Sequence, residues 1–457
     1  MKQRTRVPSS LKLPLLLAIT FLFPVIGKCQ QAGKDELKSM EKSNASFKGG
    51  IRGEKGPGLN LPPEKMQWWE DAKFGMFIHW GLYAIPASGE WTMFNEKITA
   101  EEYAKYANQF DPKAFDADKW ADIAKSAGMK YMVMVARHHD GFAMWNSPAS
   151  YRHFNSMETA AHRDFVADYT KACRKAGLAV GIYYSPMDWR FPAYFDPKGL
   201  PENAALMKKQ AYGQMEELMK NYGKIDILWY DGGWLAHKGS DADAAWFWEP
   251  LKLNTMVRSY QPDIVINPRS GMMGDFQVNE GSGEVKGPII DIPWEKCLNL
   301  NGSSWGYNKV QDLMSFKIVV QMLVNVVDRG GNMLLNVGPD ADGIIPPTHA
   351  ERLKEIGAWL KNNGESIYGT RPGPFEPVDS LYGSTNRGNM IYIHLIRSSK
   401  LTPELQLPPI GQKVISCNVL NGKKIKFKQD KTSIMLNLNL EELDPAVTTI
   451  ALKVENK

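Results

Sequence analysis

The middle of the chain alternates between short apolar runs and longer segments in which apolar residues recur every three or four positions. A short apolar run that ends in a polar residue predicts a buried strand, whereas the longer period predicts an amphipathic helix. The predicted strands are residues 74–78, 130–136, 178–184, 225–230, 263–266 and 333–337. The predicted helices, several of which end at a glycine, are residues 119–127, 164–175, 203–221, 246–260, 312–327 and 349–362.

Strands that alternate with helices predict an α/β fold in which parallel strands are joined by crossover helices. The number of strand–helix units favours a (β/α)8-like barrel of the TIM type, regular or irregular, over an open sheet. We assign residues 61–372 to this barrel. Beyond the Pro- and Gly-rich residues 371–374 the pattern changes to short strand-like runs separated by turn residues, which predicts a C-terminal antiparallel β-sandwich over residues 373–457.

The N-terminus has the pattern of a secretory signal. Basic residues precede an apolar stretch at residues 11–26, so we expect a signal peptide over residues 1–29 and a polar, flexible leader over residues 30–60. The protein is therefore expected to be exported to the periplasm or the extracellular space. A lipoprotein anchor on Cys29 ranks second, because Lys28 stands where a small residue is expected. No other segment is long and apolar enough to predict a transmembrane helix.

Composition narrows the ligand class. The formal charge of +5 is modest and no basic run is interleaved with aromatic residues, so nucleic-acid binding is not expected. The 14 Trp and 17 Tyr residues favour a carbohydrate ligand, because aromatic rings stack on the C–H faces of sugars. The cysteines lack the spacing of a zinc site, and buried free thiols are favoured over a disulfide for Cys173, Cys297 and Cys417.

Polar side chains stand at or just beyond the carboxyl ends of the predicted strands. A parallel barrel gathers these ends into one mouth, where the chemistry of such folds is located. Strand alternation also places Ile225, Ile227 and Trp229 on the same face as Asp231, so Trp229 is expected in the same pocket. The strand-end residues are His79, His138, His139, Tyr183, Asp231 and Arg269.

Two carboxylates that face a sugar would make a retaining glycosidase, with one as nucleophile and the other as acid/base. Asp231 is the candidate nucleophile because a strand end holds it in a fixed position; the alternative is an aspartate that caps the next turn. The partner is expected from a loop after the Arg269 strand. Residue chemistry alone leaves Glu280, Glu284 and Glu295 open for this role.

The strand-end histidines suit sugar hydroxyls better than a metal ion. His138 and His139 are adjacent and point to opposite sides of a strand, and the first strand offers no His-x-His pair. No metal and no organic cofactor are expected. Trp91 and Trp229 are candidate platforms for a sugar face, while Trp80, Trp234 and Trp305 suit the core or the rim equally well. Arg269 could bind a sugar oxygen or pair with Asp231.

Seven motifs together resemble the α-L-fucosidases of glycoside hydrolase family 29, and they follow one another in the family's order. The likeness covers nearly all of the chain after the leader. The motifs are KFGMFIHWG (73–81), HHDGF (138–142), GIYYS (181–185), LWYDG (228–232), WEKC (294–297), SWGY (304–307) and LLNVGP (334–339).

The resemblance implies a retaining exo-hydrolase that releases terminal α-L-fucose from fucosylated glycans. It implies Asp231 as nucleophile and, from the GDFxxxE spacing at residues 274–280, Glu280 as acid/base. The Thr-Pro often found before that Glu is absent, so Glu284 stays the alternative and Glu295 ranks third. The implied substrate ligands are His79, Glu90, Trp91, His138, His139, Tyr183, Trp229 and Arg269.

Two other functions compete with this interpretation. They are a non-catalytic fucose-binding protein on the same fold and a hydrolase of another glycoside. The linkage that is cleaved and the oligomeric state are left open by the sequence.

Overall fold

The structure is a computed structural model that describes residues 59–396 and 398–456. The predicted signal peptide and all but the end of the leader lie outside the described residues. Within those residues, no helix has the length and apolar character needed to cross a bilayer.

An 8-stranded parallel sheet forms the larger part of the molecule. Its hydrogen-bonded order is β5-β4-β3-β2-β1-β8-β7-β6. The two end strands, β5 and β6, are not joined by a ladder among the described residues. The predicted (β/α)8-like barrel is confirmed in its irregular form. The strands are β1 (Phe74–Ile78), β2 (Tyr131–Arg137), β3 (Ala179–Tyr184), β4 (Ile227–Tyr230), β5 (Val265–Ile266), β6 (Gln277–Glu280), β7 (Trp294–Asn299) and β8 (Asn332–Val337).

The strands are buried on both faces, which is why they read as apolar runs. Ile227 and Trp229 belong to the cluster that fills the barrel interior, whereas Leu228 and Tyr230 pack in the cluster between the sheet and the helices. Ile225 packs in that outer cluster as well, so its predicted place on the Asp231 face is wrong. The cause is that β4 begins only at Ile227, so strand alternation does not extend back to Ile225.

Helices surround the sheet and have the expected caps. Asp164 accepts the backbone N–H of Ala167 at the start of one, and Gly177 ends it with φ 74°, a left-handed conformation that glycine adopts without strain. The helices are α1 (Pro63–Ala72), α2 (Thr92–Asn95), α3 (Ala100–Ala104), α4 (Ala117–Ser126), α5 (Phe165–Ala176), α6 (Pro201–Asn221), α7 (Ala245–Trp248), α8 (Pro250–Tyr260), α9 (Phe316–Asp328) and α10 (Pro347–Asn363).

The predicted helix over residues 246–260 is two helices in the structure. Glu249 lies between α7 and α8 with φ 47°, and Pro250 follows it. Proline cannot donate a backbone hydrogen bond and excludes the α conformation from the residue before it, so one helix ends and another begins here.

The C-terminal part is antiparallel, as predicted, and has its own apolar core. A five-stranded sheet in the order β13-β16-β11-β10-β9 faces a three-stranded sheet in the order β12-β15-β14. The strands are β9 (Arg371–Pro372), β10 (Tyr382–Arg387), β11 (Met390–Ile396), β12 (Glu404–Leu407), β13 (Val414–Val419), β14 (Lys426–Gln429), β15 (Ile434–Asn437) and β16 (Val447–Val454).

A buried polar chain fastens this sandwich to the barrel. The imidazole of His394 on β11 lies between Asp328 Oδ1 at the end of α9, 2.6 Å from Nδ1, and Ser366 Oγ, 3.0 Å from Nε2. All three side chains are excluded from solvent. The two hydrogen bonds of the His394 ring therefore link β11 to the end of α9 and to the segment that follows α10.

Candidate active site

A pocket opens at the carboxyl ends of the barrel strands and has about 440 Å³ of empty space, which includes the solvent at its open mouth. The structure brings most of the sequence-predicted site residues together here. Its lining consists of Phe77, His79, Trp91, His138, His139, Tyr183, Trp229, Asp231, Trp234, Arg269, Glu280, Cys297 and Trp305.

Asp231 follows β4 directly and has a donor on each carboxylate oxygen. Arg269 Nη1 donates to Oδ1 at 2.6 Å, and Tyr183 Oη donates to Oδ2 at 2.9 Å. His139 Nε2 lies 3.8 Å from the same Oδ2. Burial tends to raise the pKa of Asp231, but the positive charge of Arg269 and the two hydrogen bonds outweigh it, so this pKa lies below its usual value. Asp231 is therefore an ionised carboxylate that is only 15% exposed at its side chain.

Arg269 joins the two carboxylates of the pocket. One guanidinium nitrogen binds Asp231 and the other, Nη2, donates to Glu280 Oε2. The guanidinium also lies over the indole of Trp229, 4.9 Å from the ring centroid. Burial lowers the pKa of Arg269, but the charges of Asp231 and Glu280 raise it further, so the side chain is a permanent cation.

Glu280 is the last residue of β6 rather than part of a loop. It pairs with Cys297 across the β6–β7 ladder, and its side chain is 18% exposed. The expectation of a loop carboxylate is therefore wrong for this residue, because β6 brings it to the mouth as a strand end. Of the three candidate partners, Glu280 alone lines the pocket with Asp231.

His79 has a defined tautomer. Asn336 uses its amide N–H groups on Asn299 Oδ1 and the Trp305 carbonyl, so its oxygen faces His79 Nδ1 at 2.7 Å and can only accept. His79 Nδ1 must carry the proton, which leaves Nε2 as an acceptor. Burial lowers the pKa of His79 to about 4, so the ring is neutral at neutral pH.

His138 and His139 are neutral for the same reason. Burial and the neighbouring histidines hold the pKa of each ring well below its usual value. His139 Nδ1 lies 2.7 Å from Ser185 Oγ, whereas the buried Nδ1 of His138 has no hydrogen-bond partner among the residues that the structure describes. His138 also stacks on Tyr183, with ring centroids 5.8 Å apart and planes at 7°. The three rings offer a ligand uncharged donors and acceptors.

Glu295, the third candidate for the partner, lies inside the barrel on β7. Its Oε1 accepts from Trp229 Nε1 at 3.0 Å and its Oε2 accepts from Tyr131 Oη at 2.5 Å. Burial raises the pKa of Glu295 to about 7, against the opposing effect of these two hydrogen bonds. Glu295 is therefore a hydrogen-bond partner of the pocket residue Trp229 and does not itself line the cavity.

Two other predicted residues lie outside the lining. Glu90 is buried, and its Oε2 accepts the backbone N–H groups of Trp305 and Gly306 at 3.0 and 2.8 Å, so it supports the loop that carries the Trp305 wall. Glu284 is 39% exposed and lies 3.4 Å from Lys286 Nζ. An ion pair between two such exposed side chains contributes little to stability.

Among residues 59–396 and 398–456, no group of three or more His, Cys, Asp or Glu side chains is placed to hold a metal ion.

The comparison with protein families decides the class of the chain. The model of the α-L-fucosidase family matches residues 60–365, which include every residue of the pocket. The chain belongs to the α-L-fucosidase family. This is the family 29 of glycoside hydrolases that the motifs resemble, so the chain is a glycoside hydrolase.

Relatives of this fucosidase come from animals and bacteria. It is 30% identical to the tissue α-L-fucosidase of Bos taurus over 410 residues, which cover 83% of this chain and 85% of the relative. It is 32% identical to the plasma α-L-fucosidase of Homo sapiens over 337 residues, or 66% of this chain and 69% of the relative.

Solved structures of other fucosidases share the architecture. α-L-Fucosidase isoenzyme 1 from Paenibacillus thiaminolyticus matches with a TM-score of 0.76 and 35% identity, covering 86% of this chain and 99% of the other. A family 29 enzyme from Bacteroides thetaiotaomicron, trapped as a covalent intermediate with 2-fluoro-fucosyl fluoride, matches with a TM-score of 0.78 and 27% identity over 88% of this chain and 98% of the other.

Sequence reasoning missed several pocket residues of this fucosidase. Phe77 could have been found from alternation, because it lies two residues before His79 on β1, and side chains two apart share a face. Cys297 becomes visible as a wall residue only once β6 and β7 are paired, since it lies opposite Glu280. Asn336 and Ser185, which fix the histidine rings, lie in quoted motifs but carry no signal of that role.

Proposed function

We propose that this fucosidase releases terminal α-L-fucose from fucosylated glycans with Asp231 as nucleophile and Glu280 as acid/base. One observation carries the proposal: a single buried guanidinium, that of Arg269, holds both carboxylates at the mouth of one pocket. The trapped covalent intermediate of the Bacteroides thetaiotaomicron relative supports a two-step, retaining reaction.

In the first step an Asp231 oxygen forms a bond to the anomeric carbon as the bond from that carbon to the leaving oxygen breaks. Glu280 gives its proton to the leaving oxygen. Because Oε2 of Glu280 accepts from Arg269, we assign the transferred proton to Oε1. The product is a fucosyl ester of Asp231 and a released alcohol.

In the second step the Glu280 carboxylate removes a proton from water, and the water oxygen bonds to the anomeric carbon. The ester bond breaks and its electron pair returns to Asp231. Two displacements at one carbon restore the α configuration. The donors to Asp231 from Arg269 and Tyr183 stabilise the departing carboxylate in this step.

Substrate binding follows from the neutral rings and the aromatic walls. His79 Nε2 accepts from a fucose hydroxyl, and His138 and His139 provide further contacts to hydroxyl groups. We assign Tyr183 and Arg269 to the site because they contact Asp231, and Trp229 because it contacts Arg269. Trp91 is assigned as a wall of the pocket. Phe77, Trp234 and Trp305 suit the C6 methyl and the C–H faces of the sugar. We keep Glu90 as a predicted sugar ligand through Oε1, since its Oε2 accepts the backbone N–H groups of Trp305 and Gly306.

The anomeric form of an azide product tests the two assignments separately. In Asp231→Gly, turnover of an aryl α-L-fucoside should fall by several orders of magnitude, and azide should restore it with inversion, giving the β-fucosyl azide. In Glu280→Ala, azide should attack the fucosyl-enzyme and give the α-fucosyl azide.

Glu284→Ala is the matched control for Glu280→Ala, because it removes an equal carboxylate from the same segment but outside the pocket. It should keep normal turnover and show no azide effect. If Glu284→Ala yields the α-azide instead, the acid/base assignment moves to Glu284. Near-normal activity of Asp231→Gly without azide would refute the nucleophile.

Two assays separate the competing functions. Wild-type turnover of an aryl α-L-fucoside rules out a purely binding protein, and a panel of aryl glycosides measures the preference for fucose over other sugars. We further propose that the reaction needs no cofactor. Activity should therefore be unchanged after dialysis against EDTA, whereas a metallohydrolase would lose it.

We also propose that the chain is exported from a bacterial cell and that residues 61–372 and 373–457 form its barrel and sandwich domains. The basic start and the apolar stretch at residues 11–26 support export. N-terminal sequencing of the protein from its native host should begin at Gln30, whereas lipid attached to Cys29 would indicate the anchored form. Limited proteolysis that cuts near residue 372 and leaves both parts folded would support the domain border.

A further inference from the structure

The edge between β5 and β6 separates the strands that carry the two carboxylates of the pocket. Asp231 follows β4, and β5 is fixed to β4 by a ladder in which Leu228 pairs with Ile266. Glu280 ends β6, and no ladder joins β6 to β5 in the part of the chain that the structure describes. Backbone pairing therefore links β6 to β4 only round the far side of the barrel, through β7, β8, β1, β2 and β3.

Asp275, just before β6, supplies a direct link across this edge. Its backbone N–H donates to the Ile266 carbonyl at 2.7 Å, and its carboxylate Oδ2 accepts the Ile266 backbone N–H at 2.7 Å. Val265 and Asn267 donate to carbonyls on the β4 side, so the backbone groups of Ile266 point to the open side of β5. Asp275 thus binds both groups that a neighbouring strand would bind. We call this pair of bonds the Asp275 clip.

The carboxylate of Asp275 has a partner on each oxygen. Oδ1 accepts the Leu61 backbone N–H at 2.8 Å, and Oδ2 also accepts from Arg258 Nη2 on α8 at 2.8 Å. The side chain is only 1% exposed and does not line the pocket. Asp275 can therefore act on the reaction only through the elements that it joins.

The GDF motif at residues 274–276 has a geometric meaning. Gly274 lies so close to β5 that a Cβ there would be 2.4 Å from the Ile266 carbonyl oxygen, which leaves no room for a side chain. Phe276 packs on Trp69 of α1, with ring centroids 4.7 Å apart, in the cluster that fills the barrel interior. The motif thus brings the segment before β6 against β5.

We infer that Asp275 is a positioning residue of the reaction, whose clip sets the place of Glu280 relative to Asp231 across the open edge. The inference rests on the proposed function, because it assumes that Glu280 is the acid/base. A general acid contributes about 10²–10⁴-fold to a rate, and a misplacement of about 1 Å can cost about 10²-fold. Loss of the clip therefore removes part of the acid contribution, while the nucleophile and the fucose contacts stay in place.

A matched clip joins β3 and β4. The Asp226 backbone N–H donates to the Val180 carbonyl at 2.7 Å, and the Asp226 carboxylate Oδ2 accepts the Val180 backbone N–H at 2.8 Å. Here, however, a ladder of four residue pairs already joins the two strands. The Asp226 clip has the same two bonds as the Asp275 clip but does not have to replace a ladder, so its loss is the control.

Aryl α-L-fucosides that differ in their leaving group test the inference. The value of kcat/KM reports the first displacement, in which 2-chloro-4-nitrophenolate leaves with little help and phenolate needs a proton from the acid. In Asp275→Ala we expect kcat/KM on the phenyl fucoside to fall by about tenfold or more relative to that on the 2-chloro-4-nitrophenyl fucoside. Asp275→Asn keeps one acceptor oxygen and should change this ratio less.

Two further variants distinguish positioning from stability. Gly274→Ala keeps the carboxylate but pushes the segment away from β5, so the ratio should change in the same direction as in Asp275→Ala. Asp226→Ala should lower the Tm and leave the ratio unchanged. Equal losses on both substrates in Asp275→Ala, like those of a variant that is merely less stable, would overturn the inference. If Asp275→Ala does not fold, unchanged ratios in Asp275→Asn and Gly274→Ala would overturn it.

Glu280→Ala separates a failure of this inference from a failure of the proposed function. It should change the ratio more than any variant of the clip, because it removes the acid itself. If Glu280→Ala reduces kcat/KM equally on both substrates, the acid/base assignment is wrong. If Glu280→Ala changes the ratio and the variants of Asp275 and Gly274 do not, the positioning role alone is refuted.

Discussion

Replacement of Glu295 by Gln should remove a pH-dependent contribution to stability without removing the hydrogen bonds behind Trp229. The Gln carbonyl can accept from Trp229 Nε1 as Oε1 does now, and its amide can donate to Tyr131 Oη. Glu295→Ala, in contrast, leaves two buried donors without a partner, at a cost of roughly 1–3 kcal/mol each.

The magnitude follows from the two pKa values of Glu295. Burial raises the folded-state pKa to about 7, and the unfolded value is about 4.3. Because the folded state binds the proton more tightly, the stabilisation is complete below pH of about 4.3 and is lost as the pH rises through about 7. It amounts to about 2.5 kcal/mol at pH 5 and almost nothing at pH 8.

Calorimetry of the wild type and Glu295→Gln at pH 5 and pH 8 measures this effect. With an unfolding entropy near 2 cal/mol/K per residue, the difference in Tm between the two proteins should change by about 3 °C over that range. The Tm of the wild type should be higher relative to that of Glu295→Gln at pH 5, and this advantage should be lost at pH 8. A Tm difference that is the same at both pH values would refute the argument that Glu295 is protonated in the folded protein at pH 5.

Other predictions concern the pocket directly. Arg269→Ala removes the charge that lowers the pKa of Asp231, so the acidic limb of the kcat/KM profile should move to higher pH; a limb that stays in place would show that Arg269 does not set it. The inhibition constant of L-fucose should be flat from pH 5.5 to 7.5, because the pKa of His79 is about 4 and those of the other two pocket histidines are also lowered; a rise on the acid side would contradict the neutral rings. Iodoacetamide at pH 7.5 should leave activity unchanged, although Cys297 lines the pocket, because burial raises the pKa of its thiol well above the usual value and little thiolate forms; inactivation that L-fucose prevents would contradict this.

Sequence patterns predicted the barrel because most of its strands are buried on both faces and are apolar throughout. They missed β6 and β7, whose sequences QVNE and WEKCLN carry charged residues into the barrel. Glu295 and Lys296 are buried there with polar partners: Tyr131 and Trp229 for Glu295, and Asn279 for Lys296. Such partners are contributed by other strands, so the pattern within one strand could not reveal that these segments are core.

The site residues also differ in how far a local sequence pattern could predict them. Asp231 could be predicted because it ends an apolar strand, and strand ends converge in a barrel. The position of Glu280 came from a motif spacing, and its shared contact with Arg269 depends on how β5 and β6 approach each other. The support that Glu90 and Glu295 give to pocket walls depends on contacts more than 60 residues apart, which no local pattern encodes.

The open edge between β5 and β6 has an evolutionary consequence. Asp231 follows β4, which has ladder partners on both sides, so a shift of the nucleophile would break backbone pairs with β3 or β5. Glu280 ends β6, which has a ladder with β7 alone among the described strands. Across the gap, Glu280 contacts Arg269, and the backbone N–H of Asp275, just before β6, donates to the Ile266 carbonyl of β5 at 2.7 Å. A change of length along this edge therefore breaks fewer backbone pairs than a change at β4, which is paired on both sides. Such a fold can keep its nucleophile constant while the position of the partner carboxylate drifts among descendants.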